Sequence, residues 1–210
     1  MIRYECTVLV FTKAPIPGTV KTRLLPAINE TDAAQIYKEL VERTLNTAST
    51  VGNLGVHLWC TPVVDHPFFL ECQERYELDL CLQTGGNLGD RMQAAIKETL
   101  WGDNSVLVIG CDCPELQAED LSIARDKLRF DYDVVLGPSE DGGYYLIGMK
   151  ELHPELFRGI HWGGPTVLEE TRNRLAEMGL TCYELPLRWD LDDAEDLNRY
   201  LRIRDKTGKA

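Results

Sequence analysis

Residues 7–25, TVLVFTKAPIPGTVKTRLL, decide how the rest of the chain is read. Val8, Leu9, Val10 and Phe11 form an uninterrupted apolar, largely β-branched run, the signature of a strand covered on both faces. Two prolines and Gly18 then open a loop that carries Lys13, Lys21 and Arg23. In α/β sheets the loop at the carboxyl end of the first strand is where backbone N–H groups and cations meet phosphate. The loop reads either as a grip for the diphosphate of a nucleotide or nucleotide-sugar, or as a turn whose lysines merely solubilise it. It is not a Walker loop, because Val20 rather than glycine precedes Lys21 and Pro26 interrupts any following helix.

Those cations stand out against the charge of the whole. The 210 residues carry a formal net charge of -12, which argues against binding polyanionic nucleic acid or anionic membrane. A local cationic loop or a divalent metal still admits a small phosphorylated ligand. With 44% hydrophobic and 27% charged residues, the composition is that of a folded globule. One domain over residues 1–204, with a frayed tail at 205–210, is expected. No apolar run is long enough to span a bilayer, and the first residues leave no room for a secretory segment. The seven cysteines lie mostly in apolar runs without C-x-x-C spacing, as expected of reduced thiols in a cytoplasmic protein.

Outward from the first loop, helical spacing begins at residues 29–32 and runs to Leu45, with Gly52 and Gly55 ending it. Strands are expected at 55–62, 78–83, 105–110, 132–137, 144–149 and 182–187. Helices are expected at 66–76, 88–101, 118–129, 165–178 and 193–203. This alternation predicts an α/β fold, a three-layer α/β/α sandwich on a mostly parallel sheet. Residues 132–137 and 144–149 are joined too tightly for a crossover helix, so the sheet must be mixed.

Four further motifs carry chemistry. Gly110-Cys-Asp-Cys-Pro114 places Asp112 at the end of a central strand, where it either holds Mg²⁺ or Mn²⁺ or caps the turn that follows. In Asp190-Leu-Asp-Asp-Ala-Glu-Asp196, Asp190 and Asp192 alternate and project to one side, free to join Asp112 on a metal. Asp193 and Asp196 suit a capping box. In Glu140-Asp-Gly-Gly-Tyr144, Asp141 could receive sugar hydroxyls or act as a base, with Gly142 and Gly143 allowing close approach. A plain tight turn accounts for the glycines equally well. In Asn87-Leu-Gly-Asp-Arg-Met92, Asp90 suits a helix start and Arg91 could face ligand.

Taken in order, FTKAPIPGTVKTRL, NLGDRM, GCDCPEL, GPSEDGGYYLIG and DLDDAEDL resemble a bacterial family of nucleotide-diphospho-sugar transferases with the Rossmann-like GT-A fold. The likeness extends to the molybdenum-cofactor and phospholactate nucleotidyltransferases. The resemblance implies that Lys13, Gly18, Lys21 and Arg23 bind nucleotide and phosphate; Thr22, Arg91, Gly142 and Gly143 are expected beside them. It implies that Asp112, Asp190 and Asp192 hold Mg²⁺ or Mn²⁺; with Asp141 meeting the sugar or acceptor, Asp112 and Asp141 are the expected catalytic residues. The implied reaction is glycosyl transfer from a nucleotide-sugar to an acceptor. The alternatives are nucleotidyl transfer from an NTP and nucleotide binding without catalysis. Three departures stand out: Phe11-Thr-Lys-Ala-Pro replaces the glycine-rich opening loop of nucleotidyltransferases, one carboxylate replaces the Asp-x-Asp of glycosyltransferases, and Trp162-Gly-Gly-Pro165 replaces the Trp-Ser-Thr of relatives.

Overall fold

The apolar run at the start becomes β1 (Cys6–Lys13), whose residues are buried from Cys6 to Thr12. It lies inside a computed structural model that describes residues 4–100 and 104–207. Side chains alternate across the strand: Val8 and Val10 enter one core, Leu9 and Phe11 the other. Both faces of β1 are therefore covered, which is why the run has no polar positions.

The chain continues through α1 (Glu30–Ser49), β2 (Leu54–Thr61), α2 (Pro67–Tyr76), β3 (Asp79–Leu82), α3 (Leu88–Thr99) and β4 (Ser105–Ile109). Then come α4 (Ala118–Phe130), β5 (Val134–Pro138), β6 (Tyr144–Met149), α5 (Val167–Met178), β7 (Cys182–Glu184) and α6 (Ala194–Thr207). The sheet has seven strands in the order β3-β2-β1-β4-β6-β5-β7, with β6 antiparallel to β4 and β5 and the other neighbours parallel. The mixed, mostly parallel sheet follows the expectation. Residues of α1, α2 and α4 pack on one face and those of α3 and α5 on the other, giving three layers.

Several boundaries move for local reasons. The helix expected from Pro165 begins at Val167, because Pro165 packs against Gly142. β7 stops at Glu184, before Pro186, which has no N–H for a ladder. Tyr132 donates its N–H to the Lys127 carbonyl and so closes α4 instead of opening β5. α6 is helical as far as Thr207, past the tail expected from Asp205, while Trp101 and residues 208–210 lie outside the described residues. Among the described residues no helix is long and apolar enough to cross a membrane.

A third, smaller core fixes the site. Leu24 from the first loop, Ile36 and Leu40 from α1, and Leu197 and Tyr200 from α6 enclose Trp189 and Leu191. Those two alternate with Arg188, Asp190 and Asp192, so residues 188–192 form a strap with its apolar side chains pinned inward. The strap is tied to the sheet by Arg188 N–H to the Pro138 carbonyl (3.1 Å) and Glu140 N–H to the Arg188 carbonyl (2.9 Å). Leu191 N–H donates to the Asp112 carbonyl at 2.8 Å, which brings the two acidic motifs together.

Candidate functional site

β1 and β4 are neighbours, and the chain leaves β1 toward β2 on one side and reaches β4 on the other. Such a reversal of strand order opens a crevice at the carboxyl ends. The loop after β1 is braced before it reaches that crevice. Tyr37 hydroxyl accepts the Lys13 N–H at 2.9 Å beneath it, and Lys13 Nζ donates to the Thr19 carbonyl at 2.9 Å. Gly18 faces the Glu30 carboxylate. Lys21 then adopts the left-handed conformation (φ 48°), and a 3-10 turn over Thr22–Leu24 carries Leu24 into the third core. A non-glycine residue in that region costs about 1–2 kcal/mol, so something must hold it.

What holds it is charge. The Lys21 side chain is only 5% exposed, and its Nζ lies 2.6 Å from Asp112 Oδ1 and 3.5 Å from Asp192 Oδ1. It also donates to the Leu191 carbonyl of the strap. Burial works against its positive charge, but Asp112, Asp192 and Asp190 outweigh burial and hold the ammonium pKa above its ordinary value. Arg23, exposed at the rim, bonds Asp192 at 3.1 Å. Cations from residue 21 onward and acids from residues 112 and 192 thus share one crevice. Arg43 steadies the turn after Asp112 by donating to the Pro114 carbonyl at 2.7 Å.

Asp190 sits deeper. Burial, then the charges of Asp112 and Asp141, push its pKa up to about 7, although the Ser139 hydroxyl and Lys21 pull the other way. Ser139 is itself buried and donates to Asp141, whose Oδ1 also accepts the Gly143 N–H at 2.9 Å. A carboxyl group with a raised folded-state pKa favours the fold while protonated. That contribution is complete below the unfolded value near 3.9 and is lost as pH rises through about 7. In metal-free buffer, Asp190→Asn is therefore expected to match the wild type near pH 4, gain on it up to about pH 7, and hold a constant lead above. Urea unfolding at pH 4, 6 and 8 measures the difference; a variant equally stable at pH 8 contradicts this origin of the shift.

The other expected residues divide. Asp193 and Asp196 cap α6 reciprocally: Asp193 Oδ1 accepts the Glu195 and Asp196 N–H groups, and Asp196 Oδ2 accepts those of Asp192 and Asp193. Asn87 caps α3 with Asp90, while Arg91 turns to the Gly85 carbonyl at 3.3 Å instead of lining the crevice. Thr22 stays on the exposed rim. Asp192 is engaged by Lys21 at 3.5 Å and Arg23 at 3.1 Å, and it does not line the cleft that Asp112 and Asp190 share. Among the described residues no three Asp, Glu, His or Cys side chains are grouped to hold a metal ion. Asp112 and Asp190 remain as a pair facing one cleft.

That cleft, of about 210 Å³, runs from the end of β4 under Trp162 to the first turn of α3. Ser139 and Trp162 are residues that sequence reasoning missed as parts of the site, and Arg188, paired with Asp120, was missed as an anchor of the strap. Ser139 lies inside the quoted GPSEDGG motif and Trp162 beside a noted departure, whereas nothing local marked Arg188.

No curated protein matches the chain. The glucosyl-3-phosphoglycerate synthase of Mycobacterium tuberculosis, solved with Mn²⁺, UDP and glucosyl-3-phosphoglycerate, has a TM-score of 0.58 and 11% identity over 92% of this chain and 74% of its own. A CMP-2-keto-3-deoxy-manno-octonic acid synthetase bound to CTP has a TM-score of 0.61 and 10% identity over 97% and 99%. Both likenesses are of fold alone. A candidate nucleotide-diphospho-sugar transferase of Desulfovibrio desulfuricans G20 is 31% identical, with a TM-score of 0.87 over 96% of this chain and 88% of its own. With that relative, and with a family profile matched over residues 44–164, the chain belongs to the DUF2064 family of uncharacterized proteins conserved in bacteria.

Proposed function

We propose that the protein is a divalent-metal-dependent glycosyltransferase that uses a nucleotide-diphospho-sugar. The observation that carries this reading is the meeting of Lys21, Asp112 and Asp190 at the carboxyl ends of β1 and β4. The donor set suits Mg²⁺ or Mn²⁺: Asp190, buried beside the charge of Asp112, and Asp112, 47% exposed on the same cleft, leave room for water and phosphate oxygens as the remaining ligands. When bound, such an ion neutralises charge on the departing diphosphate. Lys21 holds the loop backbone in place and sets the position of Asp112. Arg23, on the rim, is placed to exchange its Asp192 partner for a phosphate oxygen.

In the transfer itself, an acceptor hydroxyl oxygen bonds to the anomeric carbon. The bond from that carbon to the diphosphate oxygen breaks, and the electron pair leaves with the nucleoside diphosphate. Asp141, at the cleft wall, takes the hydroxyl proton. The remainder of the rate comes from orientation of the two reactants.

The test is a thermal-shift comparison of UDP, GDP, CDP and their sugar conjugates, with and without Mn²⁺. A nucleotide at 100 times its Kd stabilises by about 2.7 kcal/mol. Stabilisation by one nucleotide series is expected to depend on Mn²⁺, and Asp112→Asn should abolish only the metal-dependent part. Metal-independent binding, or pyrophosphate released from an NTP, overturns the proposal.

A further inference from the structure

The wall of the cleft opposite the carboxylates is apolar: Leu88 and Met92 from α3, Tyr144 and Ile147 from β6, Trp162, and Val167 from α5. Among the described residues lining it there is no lysine, arginine or histidine, and the charged ones are Asp112, Asp141 and Asp190. Lys21 stands behind Asp112, engaged by the strap.

Trp162 is held as a platform. Its ring stacks on Phe157 at 6.4 Å, meets Tyr144 edge-on at 6.4 Å, and lies so close over Gly89 that a Cβ there would fall 2.4 Å from the indole nitrogen. The volume of about 210 Å³ lies below the usual range for drug-sized ligands.

From this wall we infer that the acceptor is a small uncharged molecule, a hydroxyl group on an apolar or aromatic body, and not a phosphorylated or carboxylated one. The inference rests on the transferase reading for the word acceptor, and on the cleft alone for the chemistry. With a divalent ion on Asp112 and Asp190 the acidic end would be taken by the metal and the donor diphosphate, and a further anionic group on the acceptor would meet Asp141 with no lysine, arginine or histidine in the wall, an unfavourable approach of like charges. An apolar body displaces water from Leu88, Met92 and Trp162 and gains by their burial. The hydroxyl finds its acceptor in Asp141.

Benzyl alcohol and benzyl phosphate share a ring and differ in charge, so they isolate the question. Binding of each is measured by ligand-observed NMR on the full chain, with UDP and Mn²⁺ present and again without them. Benzyl alcohol is expected to bind at least about tenfold more tightly than benzyl phosphate. Leu88→Lys, at a cleft residue that is 45% exposed and so tolerant of charge, is expected to narrow or reverse that preference. Trp162→Ala is expected to weaken the alcohol. Equal or tighter binding of the phosphate by the wild type, no detectable binding of the alcohol, or a preference unmoved by Leu88→Lys overturns the inference. A failure of the nucleotide and Mn²⁺ to bind, with the alcohol preference intact, overturns the transferase reading and leaves the cleft chemistry standing.

Discussion

Replacement of Arg188 by leucine is expected to lower the unfolding free energy by about 3–5 kcal/mol, as for other buried pairs that lose one partner. The guanidinium is 11% exposed and meets the Asp120 carboxylate, 4% exposed, at 2.8 Å. Asp120 is also the N3 residue of α4, where its Oδ2 accepts the Gln117 N–H at 2.8 Å. Without Arg188 that carboxylate keeps one backbone donor and loses its counter-charge inside the protein. For a chain of this size the melting temperature falls by about 2–4 °C per kcal/mol. The double variant Arg188→Leu/Asp120→Asn removes the stranded charge while keeping an acceptor for the cap, and is expected to recover much of the loss. Guanidinium unfolding of both variants decides. A double variant no more stable than the single one would assign the loss to packing.

The second large effect falls at Gly142. Its φ is +85°, and a Cβ would lie 2.0 Å from the Pro165 carbonyl oxygen, a backbone atom that no side-chain rotation can move. The Leu168 N–H also donates to the Gly142 carbonyl at 2.9 Å, so the start of α5 rests on this turn. Gly142→Ala is expected to cost about 2–5 kcal/mol, the sum of a left-handed alanine and a forced displacement. It should also loosen the Trp162 side of the cleft. Gly163→Ala is the control: φ there is +82°, yet nothing lies within 4 Å of the added carbon. That variant should lose only the conformational part, about 1–2 kcal/mol. Equal losses at the two positions would show that strain alone, and not the Pro165 contact, makes Gly142 a glycine.

The sheet was legible because burial on both faces leaves a mark on each strand: β1 and β4 are continuous apolar runs, and a strand so covered has little choice of structure. Helix starts were legible where a side chain caps locally, as at Asn29, Asn87 and Asp193. The carboxyl-end placement of Lys21 and Asp112 followed from the strand preceding each. The pairing of charges was not legible. Three aspartates in a suitable pattern suggested one cage, but whether Asp192 faces a metal or Lys21 depends on the path of a strap 80 residues after Asp112, and no local spacing encodes that. Arg188 was invisible for the same reason. Its partner is a helix-cap carboxylate whose capping role already explains it. Arg91 was read as facing ligand because a cation near a helix start suggests one, whereas the structure gives it a carbonyl two residues before the cap as a partner.

The strap also orders events in time. Every strand of the sheet precedes it in sequence, and its anchors, Lys21 to Leu191 and Asp112 to Leu191, close long loops, so they are expected to form after the local contacts. A chain with its sheet assembled but the strap undocked lacks part of the candidate site: Lys21 loses the Leu191 carbonyl, and Asp112 keeps Asp141 but loses Asp190. Docking of this short segment therefore completes the third core and the candidate site together.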